Sequence, residues 1–165
     1  KPTALTQSRH PMPAAPPPPH FEVSTHPAPG EESRHNLTYW RYGDYAGVGP
    51  GAHGRRGGMA TVRHKKPENF LSAIARNGHG LQSEDALSPA ERAREALVMG
   101  LRLSEGVDLA QIADRTGIGL DLLVDADAAA RLESYGLVER SGPRLTVQPE
   151  GMLLLDRVLA ELVIA

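Results

Sequence analysis

The densest cluster of chemically useful side chains lies in RHNLTYWRYGDYAGVGPGAHG, Arg34 to Gly54. Tyr39, Trp40, Tyr42 and Tyr45 supply four of the chain's seven Phe, Trp and Tyr residues. His35 and His53 flank them, and Arg34 and Arg41 bracket the first part of the run. An imidazole can ligate iron or carry a proton near neutral pH. Tyr and Trp rings stack on flat ligands and offer a polar handle. Arginine forks bind carboxylates through charge-assisted bonds. Together these groups suit a planar, acid-bearing tetrapyrrole. They equally suit a loop in which Trp40 is core and His35 satisfies a turn. The two histidines are not at a zinc-binding spacing, and no carboxylate partner stands beside them.

Gly47-Val-Gly-Pro-Gly-Ala-His-Gly54 has two readings. Glycines let backbone amides approach a ligand and form an anion-binding nest. A tight turn after a strand is the plainer alternative. The spacing fits neither the dinucleotide GxGxxG pattern nor a P-loop.

Charge is segregated. Residues 34–66 carry seven Arg and Lys against Asp44, a net of +6. This is either a solvated basic face or a site for carboxylates or phosphates. Residues 101–165 carry eleven acids against six arginines, a net of −5. An acidic helical half repels phosphate backbones, so nucleic acid is not the expected partner.

The chain has no cysteine, so thiolate zinc sites, disulfides and a cysteine-bound iron–sulfur cluster are excluded within it. No apolar run reaches the length of a membrane span, and no apolar secretory core opens the sequence. The expected setting is the cytoplasm, with membrane contact at most peripheral and through a partner.

The elements that must position these groups divide into three. Nine of the 14 prolines lie in the first 30 positions, so residues 1–20 read as an extended or disordered Pro-rich segment. Residues 21–80 read as strands and loops of a larger layer: a short strand at Phe21–Ser24, a buried strand at Asp44–Gly49, another at Thr61–Lys65, then a helix from Pro67 to about Arg76. Two strands cannot bury both faces of a sheet unaided, so this part calls for more protein.

Residues 81–165 read as a helical module. Ser88-Pro-Ala-Glu91 is a capping box. Asp108 caps a short helix ending at Gly117. A third helix is expected over Leu120–Tyr135, stopped by Gly136. Leu137–Arg140 and Arg144–Val147 flank Ser-Gly-Pro as a hairpin, and Pro149 opens a last helix. Three helices, a two-stranded wing and a helix is a winged-helix order, which keeps a general binding module open as an alternative.

The segments "ESRHNLTYWRYGDYAGVGPGAHG", "KKPENFL", "ERAREALVMGLRLSEGVDL" and "LTVQPEGMLLL" resemble the C-terminal part of radical S-adenosylmethionine proteins related to oxygen-independent coproporphyrinogen III oxidase, over about residues 21–163. The HNxxYW run is closer to the HemW-type heme chaperone branch than to the oxidase. The resemblance implies an α+β fold, with the last strands of a partial TIM-like barrel followed by a winged-helix-like C-terminal domain. It implies S-adenosylmethionine and a [4Fe–4S] cluster in the full-length family. It associates HNxxYW with heme, which maps to His35, Asn36, Tyr39 and Trp40, with His35 as candidate iron ligand. Charge and proximity add Arg34 and Arg41 as propionate partners. Ala52 and Val98 align with contacts to S-adenosylmethionine.

The departures matter as much. The CxxxCxxC motif and the first barrel strands are absent, so the chain cannot run radical chemistry by itself. It would need the remaining barrel and, as a chaperone, a heme-accepting protein. Prolines replace the helix that precedes the FEVS strand in the family. The alternative within the family is a fragment of the oxidase.

Overall fold

A computed structural model of the chain describes residues 34–164. The expectations for a Pro-rich tail and for a strand at Phe21–Ser24 lie outside the described residues.

Helix α1 spans Arg34–Trp40. Seven residues are too few for a helix to persist alone, so tertiary contact must hold it. It packs on α3, Pro89–Gly100. Between them in sequence come the strands of an antiparallel sheet, β1, His53–Arg56, β2, Met59–Arg63, and β3, Leu81–Ala86, in that order. Helix α2, Pro67–Asn77, connects β2 to β3 and ends at Gly78, whose φ of 77° supplies the left-handed stop.

The buried strand expected at Asp44–Gly49 does not form. Only Tyr45 pairs with the sheet: its N–H reaches the Arg55 carbonyl at 2.7 Å, and the Arg55 N–H returns to the Tyr45 carbonyl at 2.9 Å. Val48 is 89% exposed. The glycines on either side prevent a continuous ladder and serve close backbone contact instead. A Cβ on Gly47 would collide with the carbonyl of His53. A Cβ on Gly54 would lie 2.5 Å from Thr61 Oγ1, 3.1 Å from Gly47 N and 3.2 Å from the Tyr45 carbonyl.

The helical half follows the sequence more closely. Ser88 caps α3 with both reciprocal bonds of a capping box. Strand β4, Val107–Asp108, leads into α4, Leu109–Thr116, where the Asp108 carboxylate accepts from Gln111 N. The third helix is shorter than expected. Leu120–Leu122 form one 3₁₀ turn, and α5 runs over Ala126–Ser134. The chain breaks at Val124, which bridges to Val163 near the C-terminus. Asp125 then restarts the helix by accepting from Ala128 N at 2.7 Å.

Strands β5, Val138–Ser141, and β6, Arg144–Val147, make the expected hairpin, and β4 adds to its β6 edge. The last helix is divided into α6, Pro149–Met152, and α7, Leu155–Leu162. Leu97, Leu101, Leu109, Leu123, Leu145 and Leu162 are almost fully buried at the centre of this half. That core fixes α3, and α3 in turn presents one face to α1 and the sheet.

Candidate functional site

Helix α1 ends in a way that builds the site. Tyr42 N–H donates to the Tyr39 carbonyl at 2.9 Å, and Gly43 N–H donates to the Thr38 carbonyl at 2.8 Å. This is the Schellman pattern, whose left-handed position usually belongs to glycine. Here Tyr42 occupies it with φ 52°, a conformation that costs a non-glycine residue about 1–2 kcal/mol.

The phenol of Tyr42 explains why the strained backbone holds. Its O–H donates to Glu95 Oε2 at 2.8 Å. Arg55 grips the same carboxylate from β1, with Nε 2.9 Å from Oε2 and Nη2 2.7 Å from Oε1. Three elements therefore meet on one half-buried carboxylate. The Arg55 bonds hold the Glu95 carboxyl below its ordinary range. Burial, then the Glu95 bond and charge, push the Tyr42 phenol well above its own. Burial also raises Tyr45. Neither group is poised to exchange a proton near neutrality, so this cluster is built to hold shape.

On one side of the cluster lies a cleft of about 280 Å³, walled by Asn36, Tyr39, Trp40, Tyr45 and Met99 with Tyr42, Arg55 and Glu95. Tyr39 and Tyr45 meet edge to face with centroids 4.4 Å apart. Tyr39 also receives His35 edge to face at 4.6 Å, and its hydroxyl is 2.8 Å from His35 Nε2. Trp40 has a buried indole N–H with no hydrogen-bond partner among the described residues. Such groups are uncommon in folded proteins, because an unpaired buried donor loses its bond to water.

The structure brings Asn36, Tyr39 and Trp40 to one cavity. His35 is exposed and reaches the cavity only through Tyr39. Arg34 opens α1. Arg41 does not line the cleft; it makes a two-bond contact with Glu105, at 2.8 and 2.9 Å. Ala52 accepts from Arg63 N at 2.9 Å beside β2, while Val98 packs on the helical core. Neither of these two lines the aromatic cleft. Glu95, Met99 and Arg55 were not singled out from sequence. Met99 and Glu95 sit at ordinary helix positions, and only α3's contact with α1 gives them a role.

Residues 87–154 match the HemN C-terminal domain family. The chain is similar to the heme chaperone HemW of Bacillus subtilis, 33% identical over 138 residues, covering 84% of this chain and 36% of that protein. The chain is a C-terminal part of a HemN-family radical SAM protein. Other relatives include the bovine mitochondrial radical S-adenosyl methionine domain-containing protein 1, 33% identical over 153 residues and covering 86% of this chain. The HemW of Mycobacterium tuberculosis is 30% identical over 142 residues. The chain spans about a third of the length of these curated relatives. The solved structure of Escherichia coli HemN, a coproporphyrinogen III oxidase and radical SAM enzyme, superposes with a TM-score of 0.58. It covers 72% of this chain at 20% identity, a likeness of fold. As a HemN-family segment the chain contains no cysteine and no described group of ligands able to hold a metal ion. No described helix is long and apolar enough to cross a membrane.

Proposed function

We propose that the chain is the C-terminal portion of a HemW-like heme chaperone, whose cargo is heme and whose role is to deliver it to acceptor proteins in the cytoplasm. In this reading residues 21–80 complete a partial radical SAM barrel, and residues 81–165 form a winged-helix-like cover with the β5–β6 hairpin as wing. The observation that carries it is Trp40, which walls an aromatic cleft and whose buried indole N–H has no hydrogen-bond partner among the described residues. Tyr39 and Tyr45 give that cleft flat walls, and Met99 adds a soft, polarisable one. Its volume is at the lower edge of ordinary ligand sites, which suits one edge of a macrocycle and leaves the rest to further protein.

Tyr39 links cargo and candidate ligand: it walls the cleft and orients the His35 ring through Nε2. Fixing one imidazole nitrogen sets the role of the other. S-adenosylmethionine and the cluster belong to the full-length family; with no cysteine here, no cluster ligand comes from this chain. The oxidase alternative draws on the fold likeness to HemN. The HemW relatives and the HNxxYW run favour the chaperone.

Titration of the protein with heme, followed by Soret absorption, tests the reading. A saturable band that weakens or shifts in His35→Ala is the expected result. An unchanged band in that variant removes His35 from the site, and no saturable band removes the heme reading.

A further inference from the structure

A second cavity, of about 270 Å³, shares Tyr42 and Arg55 in its lining with the aromatic cleft. It is bounded by the Tyr42–Asp44 segment, the β1–β2 turn, and the α3–α4 pair. Arg56, Arg92 and Arg115 line it, and they come from β1, α3 and α4 respectively. Asp44 is the one acid among the described residues of its wall, and Arg55, which also lines it, is paired with Glu95. The Asp44 carboxylate already accepts the Gly57 N–H at 3.1 Å and so holds the hairpin turn.

The arginines are held in place by their own backbone contacts. Arg92 Nη2 donates to the Arg115 carbonyl at 2.6 Å, and Arg115 Nη2 donates to the Tyr42 carbonyl at 3.2 Å. Each fork has further N–H groups beyond the one used. Arg56 has no side-chain partner among the described residues. Three guanidinium groups facing one carboxylate repel one another, and an anion between them would relieve that repulsion. Apolar side chains also line the cavity: Ala96 and Ile112 from the buried core, with Leu87 and Met59.

We propose that this cavity is a carboxylate-binding site for a small organic acid with an apolar body. The forks of Arg92 and Arg115 hold the acid group, Arg56 adds charge, and the Ala96–Ile112 side takes the hydrocarbon. The site stands apart from the heme reading and does not depend on it. Basic residues of the 34–66 stretch reach it, but Arg92 and Arg115 come from the otherwise acidic helical half. Their convergence is a tertiary feature that local charge does not reveal.

The test uses hexanoate, its neutral analogue hexanamide, and inorganic phosphate as probes. Binding is read from the arginine Nε–Hε resonances of the protein in nitrogen-15 correlation spectra. Hexanoate is expected to shift the Arg92 and Arg115 signals saturably, while hexanamide leaves them in place. Arg115→Gln is expected to weaken hexanoate binding about tenfold, as for the loss of one charge-assisted bond. Arg56→Gln, at an exposed position without a partner, keeps the fold and weakens binding by a smaller factor. Equal shifts from hexanoate and hexanamide overturn the site, as does undiminished hexanoate binding in Arg56→Gln. Tighter binding of phosphate than of hexanoate overturns the assignment of ligand class.

Discussion

Arg55 and Glu95, on a strand and a helix 40 residues apart, are joined by two hydrogen bonds of 2.9 and 2.7 Å in a half-buried pocket. Tyr42 closes the same carboxylate from a third element. Removing the charge breaks a shared contact rather than a surface pair. Glu95→Gln is expected to cost about 1–3 kcal/mol at neutral pH, measured by denaturant unfolding.

The same pair sets an acid limb. The Glu95 carboxyl is held below its ordinary value of 4.5, chiefly by Arg55. A depressed carboxylate contributes stability in full above the unfolded value and loses it as pH falls through the lower folded value. Unfolding free energy is therefore expected to decline as pH drops below about 4.5, and that decline should be shallower in Glu95→Gln. A parallel decline in both proteins would show that the pair is not its source.

Tyr42 holds a left-handed backbone with φ 52° and a hydrogen bond from its phenol. Tyr42→Phe removes only the bond and is expected to destabilise by about 1 kcal/mol. Combined with Glu95→Gln, the losses should fall short of additive, because the two side chains share one contact. Additive losses in thermal unfolding would argue against the coupling.

Gly54 is where β1 meets the Thr61 hydroxyl of β2 and the backbone of Gly47 and Tyr45. Gly54→Ala should destabilise by about 1–3 kcal/mol, as overpacking does. Ala substitution at Gly57, whose added Cβ meets nothing within 4 Å, provides a control limited to the strain of its φ of 56°.

Asp125 starts α5 after the break at Val124. Asp125→Ala is expected to cost about 1 kcal/mol and Asp125→Ser much less, since serine caps comparably. Calorimetric Tm values of the two variants separate the cap from any effect of charge.

Trp40 is the single tryptophan of the chain and walls the aromatic cleft, so its emission reports on that region. Heme bound there is expected to quench that emission saturably. Quenching with the same midpoint as the Soret change ties both signals to one binding event; a Soret change with unaltered emission would move the heme away from Trp40.

The local punctuation is legible in neighbouring residues. The Ser88 capping box, the Asp108 cap, the Gly78 and Gly117 stops and the β5–β6 hairpin all arose from contacts within a few residues. Such contacts are visible in order along the chain. The HNxxYW resemblance also marked Asn36, Tyr39 and Trp40 as a group, although the helix that holds them, α1, was not expected there.

Tertiary structure decided the rest. Asp44–Gly49 has strand-like residues, yet glycine crowding against β1 leaves only Tyr45 paired. Leu120–Tyr135 carries helical spacing, yet pairing of Val124 with Val163 outweighs one more turn of helix. Glu95 and Met99 looked like any other α3 residues until α1 packed over them. Arg41 adjoins the aromatic cluster in sequence, but Glu105, 64 residues away, takes its fork. Partners brought together from distant positions leave no periodic trace, because their geometry is fixed by packing and not by spacing.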